Sequence, residues 1–163
     1  MRLNSLQLIN FRNYDNLHLN FEKNINLLVG KNGQGKTNIV EAIYMLSFGK
    51  SFRTNKDKEI IKFGSENLYI GGNYLKNSSK GLIEVAIGNN KKGIKVNKIH
   101  IHKIQELLGN LNVVIFSPED LKLVKDGPRE RRSLSIRKLA KSCLNIIITW
   151  LIIIKYWFRE TKL

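Results

Sequence analysis

Hydrophobic residues recur along this chain with two different spacings. Leu3, Leu6, Leu8, Ile9 and Phe11 predict a first strand, and Leu17, Leu19 and Phe21 alternate with polar residues as a second, with a turn held within residues 10–15. Residues 25–29 form a short, largely apolar run, read as a strand covered on both faces. That run ends in a glycine-rich stretch. Ile39, Ala42, Ile43 and Leu46 then return at helical spacing, which predicts an amphipathic helix from near Lys36 to just before Gly49. A basic polar stretch, 50–58, comes next. Strand-like segments at 68–75, 82–87 and 94–96, separated by Gly, Asn and Ser clusters, predict an antiparallel sheet beside the strand–loop–helix unit. Residues 104–108 read as a short helix closed by Gly109, and 113–116 as another strand. Pro118 opens a helix with Glu119 and Asp120 in its first turn, where the helix dipole favours acids. The expected fold class is α/β, built as one domain or one lobe of a larger one.

The glycine-rich stretch changes this from a fold into a site. Gly30, Lys31, Asn32, Gly33, Gln34, Gly35, Lys36 and Thr37 match G-x-x-x-x-G-K-[ST] in full. Glycines let the backbone curl so that its N–H groups face a phosphate, and the following helix aims its positive end at the same place. In this arrangement Lys36 reaches the β- and γ-phosphates of ATP, and the Thr37 hydroxyl is placed to ligate Mg²⁺. A chance glycine turn would lack the context seen here, an apolar strand before the loop and a helix after it. His18, His100 and His102 add no second chemistry. His100 and His102 could share one face of a strand, but no Cys or carboxylate stands at ligand spacing beside them.

Charge narrows the class of partner. With 28 Lys and Arg against 13 Asp and Glu, the formal net charge is +15, which favours a polyanion, either nucleic acid or an anionic membrane face. Lys50, Lys56, Lys58, Lys62, Lys91, Lys92, Lys95 and Lys98 are candidates for contact with a DNA backbone. Each is also an ordinary candidate for a solvated surface lysine. The single cysteine, Cys143, cannot form an internal disulfide, and the N-terminus has no continuous apolar segment of the secretory kind, so a cytoplasmic setting is expected. The apolar run 144–154 is about half the ~20 residues that a membrane-spanning helix needs. A membrane-associated basic protein and a small-molecule P-loop kinase are the alternatives; the kinase would want an arginine-rich lid, where this chain offers mostly lysine.

The flanks of the loop carry a resemblance. Asn32, Asn38, Glu41, Ala42 and Ile43 follow the G-x-N-G-x-G-K-[TS]-N…E-A-I pattern of the SMC/Rad50-like ABC ATPases. Three further segments are similar to the RecF family: LINFRNY near the start, KSFRT at 50–54, and NVVIFSPEDLKLVKDGPRERR at 112–132. The resemblance implies a P-loop NTPase core like an ABC or SMC head with an adjoining antiparallel sheet, cut short. It implies ATP-dependent DNA binding at gaps during recombinational repair, a head-to-head homodimer closed by ATP, and work with RecR in loading RecA. By the same resemblance Arg12 and Asn13 lie where related ATPases contact nucleotide, although both could simply shape the turn between two strands. Residues 116–120 would sit near the Mg²⁺ side, or form a plain helix start capped by Ser117. No apolar strand after the loop ends in the acidic residues that hydrolysis requires, and no ABC signature is present. Binding without turnover is therefore expected of this chain alone.

Beyond residue 132 the composition departs from that family. Residues 131–159 contain no Asp or Glu yet hold Trp150, Trp157 and Cys143. Where a RecF-like chain would continue with Phe-Leu-Asp and a polar helix rich in Tyr and Asn, this one reads Ser133, Leu134, Ser135, Ile136. A one-base shift near Ser133, with permissible codons, re-reads the stretch 138–163 to include Asn-Tyr-Asn-Lys-Val-Leu-Val, which resembles that helix. The expected division is thus 1–132, the N-terminal part of a RecF-like ATPase head, and 133–163, an out-of-frame tail, with a divergent true C-terminus as the alternative. The charge divides with it, since residues 1–128 alone still carry +8.

Overall fold

The structure is a computed structural model and describes residues 1–89 and 91–116, together with the backbone of Leu151 and Ile152. Its main body is one six-stranded antiparallel sheet. The strands are β1 (Arg2–Phe11), β2 (Tyr14–Asn20), β4 (Asn67–Lys76), β5 (Ser79–Gly88), β6 (Lys91–Val96) and β7 (Ile99–His100), in the order β2-β1-β4-β5-β6-β7. The three strands expected over 68–96 thus join the N-terminal hairpin in a single sheet, and the short β7 extends it. His100 lies on β7 but His102 lies beyond its end, so the two do not share a strand face.

Turn chemistry fixes the registers. The loops between Lys76 and Ser79, and between Val96 and Ile99, each have two central residues, Asn77–Ser78 and Asn97–Lys98, all at positive φ. Such loops twist in the sense that an antiparallel hairpin needs. In β1 the apolar spacing lengthens from two to three between Leu3 and Leu6, and there the pairing with β4 shifts register between Leu3 and Ser5. The extra residue re-aims the strand so that Leu3, Leu6 and Leu8 are all buried.

One face of the sheet is covered by helix α1 (Lys36–Phe48), with the bounds its periodicity predicts. It is less amphipathic than expected. Ile39, Val40, Ala42, Ile43, Met45 and Leu46 are buried, but so are Glu41 and Ser47. The Ser47 hydroxyl donates to the carbonyl of Leu111 at 2.6 Å, so the segment after the short helix α2 (Ile104–Leu107) closes over this side. Gly49 ends α1 in the left-handed region (φ 66), donating its amide to Met45 O at 2.8 Å. A Cβ there would approach the side chains of Ile104 and Ile94 within 2.6 and 2.9 Å.

Close approach of α1 to β4 depends on Gly72. A Cβ at that position would lie 2.4 Å from Cδ1 of Leu46, which is fully buried, and 3.2 Å from Cδ1 of Leu3. Gly72→Ala is expected to destabilise the fold by about 1–3 kcal/mol, as overpacking does, although alanine is the better strand residue. A lowered thermal midpoint checks this; an unchanged or raised one would show that Leu46 repacks freely.

Two strand expectations need correction. Of the run 25–29 only β3 (Asn26–Leu27) is a strand, outside the main sheet, and Ile25, Leu27 and Val29 are each more than half exposed. A strand covered on both faces needs neighbours on each side, and among the described residues its one ladder is a parallel pairing with β8 (Leu151–Ile152). Residues 113–116 form no strand, and Val114 and Phe116 are exposed. The helix expected from Pro118, the segment 117–120, the apolar run 144–154 apart from the β8 backbone, and the proposed frame change at 133 lie outside the described residues. Among the described residues, no helix is long and apolar enough to cross a membrane.

Candidate nucleotide-binding site

The loop between β3 and α1 is shaped by its glycines. Gly33 (φ 84) and Gly35 (φ 100) lie where a side chain is strained, and Gly35 caps the helix. A Cβ on Gly35 would also come within 2.7 Å of both Asn13 Oδ1 and the Tyr14 hydroxyl. The loop closes on itself through Lys36, whose ammonium donates to the carbonyls of Gly30 (2.5 Å) and Lys31 (2.7 Å). Lys31, Asn32, Gly33, Gln34 and Thr37 are exposed, while Gly30, Gly35 and Lys36 are partly covered. Within the described residues, the amides of Lys31 through Thr37 donate to no protein acceptor. The first backbone bonds of the helix run from Asn38 and Ile39 to Gly35 O, at 2.7 and 3.2 Å. Seven consecutive positions with unspent N–H groups beside a helix N-terminus and an ammonium form an anion-binding arrangement. The donor set suits a polyphosphate. Among the described residues, no group of three His, Cys, Asp or Glu is placed to hold a metal.

Behind the loop lies a charge cluster whose members the sequence names in separate motifs. Glu41, completely buried, accepts two bonds from Arg12: Nη2 to Oε1 at 2.7 Å and Nε to Oε2 at 3.1 Å. The Ser51 hydroxyl donates to the same carboxylate at 2.5 Å, and Arg53 Nη1 approaches it at 3.4 Å. Arg12 Nη1 donates to Glu59 O at 2.7 Å. Arg12 is therefore committed to protein acceptors through all three nitrogens, the arrangement of a residue that shapes its turn. Its own φ is 53, and its amide bonds to Ile60 O at 2.8 Å, tying the β1–β2 hairpin to the 3₁₀ turn Asp57–Ile60. Close by, the Thr54 hydroxyl donates to Glu59 at 2.6 Å, and this bond foremost holds the Glu59 carboxyl below its ordinary pKa.

Asn13 plays the other part. Its Nδ2 donates to the carbonyl of Gln34 at 3.2 Å, and the Tyr14 hydroxyl donates to the same oxygen at 3.3 Å. Burial pushes the Tyr14 phenol up, which keeps it a neutral donor at ordinary pH. The hairpin turn thus grips the phosphate loop from behind. Asn38, Ser51 and Arg53 were legible only as members of the quoted motifs, with no role that spacing could assign, because their partners lie on other elements.

An open groove of ≈ 1090 Å³ is lined by Arg12 and Asn13 of the turn together with residues 56–59 and 61–66. The 30–37 loop does not line it. Three of the eight candidate lysines are paired with acids here, Lys62 with Asp15, Lys92 with Asp57 at 2.9 Å and Lys56 with Glu59 at 3.4 Å. Paired lysines offer a DNA backbone less charge than the sequence count suggests.

Comparison with known proteins fits this geometry. The model of the AAA domain family matches residues 5–146. The chain belongs to that family. Within the AAA-domain family it is 68% identical, over 141 residues, to the DNA replication and repair protein RecF of Clostridioides difficile, covering 86% of this chain and 38% of that one. It is 51% identical over 142 residues to RecF of Clostridium botulinum, again with 86% of this chain and 39% of the relative covered. A solved structure of the recombination mediator protein RecF with ATP, from the RecFOR pathway, superposes with a TM-score of 0.74 at 38% identity, over 86% of this chain and 39% of that chain. An SMC head domain from Thermotoga maritima shares the fold at a TM-score of 0.52 and 20% identity, over 66% and 41% of the two chains. The RecF resemblance read from the motifs therefore holds. This AAA-domain chain spans about two-fifths of the length of the RecF relatives it matches.

Proposed function

We propose that this chain is a nucleotide-binding portion of a RecF-like protein of DNA replication and repair. Gly30, Lys31, Asn32, Gly33, Gln34, Gly35, Lys36 and Thr37 take the phosphates of ATP. The loop amides donate to phosphate oxygens, Lys36 leaves its carbonyls for the β- and γ-phosphates, and Thr37 ligates Mg²⁺. The observation that carries this reading is the run of unpartnered amides from Lys31 to Thr37, closed by the ammonium of Lys36. A backbone that leaves so many donors unspent is set up for a ligand with many acceptors. A second support is that the RecF of a solved structure similar to this chain is described with ATP. Binding, and not turnover, is the activity proposed.

Amide NMR tests this at the residues named. Mg²⁺-ATP is expected to shift the resonances of Gly33, Gly35, Lys36 and Thr37 well beyond those of β4 to β6, and AMP, which lacks the β- and γ-phosphates, to shift them far less. Saturating ATP that leaves these amides unmoved would remove the proposal.

DNA is the macromolecular partner proposed, bound through backbone charge without sequence preference. RecR, RecA and an ATP-closed homodimer belong to the same proposal for the full-length protein, resting on the family alone. DNA affinity is expected to fall steeply as salt rises, because each phosphate neutralised releases a counterion. A flat salt response would remove the electrostatic basis.

A further inference from the structure

Three hydrogen bonds link the charge cluster to the phosphate loop in one direction. Arg53 Nη1 donates to Asn38 Oδ1 at 2.8 Å, Asn38 Nδ2 donates to Asn13 Oδ1 at 2.8 Å, and Asn13 Nδ2 donates to Gln34 O at 3.2 Å. The ends of this chain fix its sense. A guanidinium can only donate and a carbonyl can only accept, so each amide between them has a single orientation that satisfies all three bonds. Arg53 is itself held by the buried Glu41 carboxylate at 3.4 Å, and its amide bonds to Ser51 Oγ at 2.9 Å.

The consequence lies at the last peptide. The peptide bonds of the described chain are trans, and in a planar trans peptide the C=O and N–H point in opposite directions. A Gln34 carbonyl held on the Asn13 side therefore sends the Gly35 N–H to the other side, and that N–H has no acceptor within the described residues. Glycine at position 35 could otherwise turn this peptide over at small steric cost. Bonds aligned head to tail also polarise one another, so a donor lost at the start weakens the hold at the end.

We propose that Arg53, Asn38 and Asn13 form a positioning relay. It locks the Gln34–Gly35 peptide with its N–H turned away from the hairpin and available to an anion, and it makes phosphate affinity depend on an arginine that need not touch the ligand. This rests on the nucleotide-binding reading of the loop. Arg53, Asn38 and Asn13 are positioning residues; the ligand-facing group is the Gly35 amide.

The test is a double-mutant cycle in the full chain, read by ATP affinity in Mg²⁺ and by the Gly35 amide resonance without nucleotide. Losing one net hydrogen bond from the relay is expected to weaken ATP binding about three- to tenfold in each of Arg53→Ala, Asn38→Ala and Asn13→Ala. Asn13→Ala combined with Arg53→Ala should bind no worse than the weaker single variant, because Asn13 and Arg53 act through the same peptide. If Arg53 acted only as a nearby charge, the two losses would multiply, and that result overturns the relay. Without nucleotide, the Gly35 amide should move in Arg53→Ala and Asn38→Ala; an unmoved resonance in both also overturns it. Thermal midpoints set aside any variant that has lost its fold, with Arg53→Met, which keeps the aliphatic stem but has no donor for Asn38, then replacing Arg53→Ala. Failure of the wild-type chain to bind ATP would count against the nucleotide reading, while the Gly35 resonance would still judge the relay.

Discussion

Glu41→Ala is expected to destabilise this chain by about 3 kcal/mol, the lower end of what removing one partner of a buried ion pair costs. The carboxylate is completely buried and gathers the Arg12 guanidinium, the Ser51 hydroxyl and one nitrogen of Arg53. Without it, the Arg12 guanidinium keeps only its bond to Glu59 O, and the Ser51 hydroxyl loses its acceptor in a closed space. The loss stays at the low end because the Arg12 and Arg53 side chains are 19% and 44% exposed and can turn towards water. In a chain of this size such a change lowers the thermal midpoint by about 6–12 °C. Glu41→Gln, which keeps the shape and one acceptor, should lie between the variant and the wild type. A midpoint for Glu41→Ala within about 2 °C of the wild type would mean the cluster is a surface ion pair of little worth.

That cluster also shows where sequence reasoning stopped. The loop, α1 and the hairpins of the sheet were legible because their signals are local: glycines at fixed offsets, a helical repeat, and Asn-rich turns between alternating strands. Even the register shift in β1 is foreshadowed by the three-residue step from Leu3 to Leu6. The motifs FRN, E-A-I and KSFRT could be quoted, and their resemblance to RecF was correct, yet nothing in their spacing says that Arg12, Glu41, Ser51 and Arg53 meet at one carboxylate. Such contacts join residues 10 to 29 positions apart and exist only once the hairpin lies against the helix. The expectation for residues 25–29 failed for a related reason. An apolar run marks a strand that needs cover, and among the described residues β3 has only its two-residue ladder with β8.

In the function proposed, the 30–37 loop grips a triphosphate, and its lysine gives the largest effect on binding. Lys36 places a cation within the arch and holds the Gly30 and Lys31 carbonyls at 2.5 and 2.7 Å. A hydrogen bond between charged groups contributes about 1.5–3 kcal/mol, so its loss corresponds to roughly ten- to a hundredfold in affinity. The loop's own closure is lost with it. The most direct measurement is ATP binding by the purified chain and by Lys36→Ala, with and without Mg²⁺, at matched thermal stability. Saturable binding by the wild type, strengthened by Mg²⁺ and reduced at least tenfold in Lys36→Ala, is the predicted result; equal binding by the two proteins would contradict it.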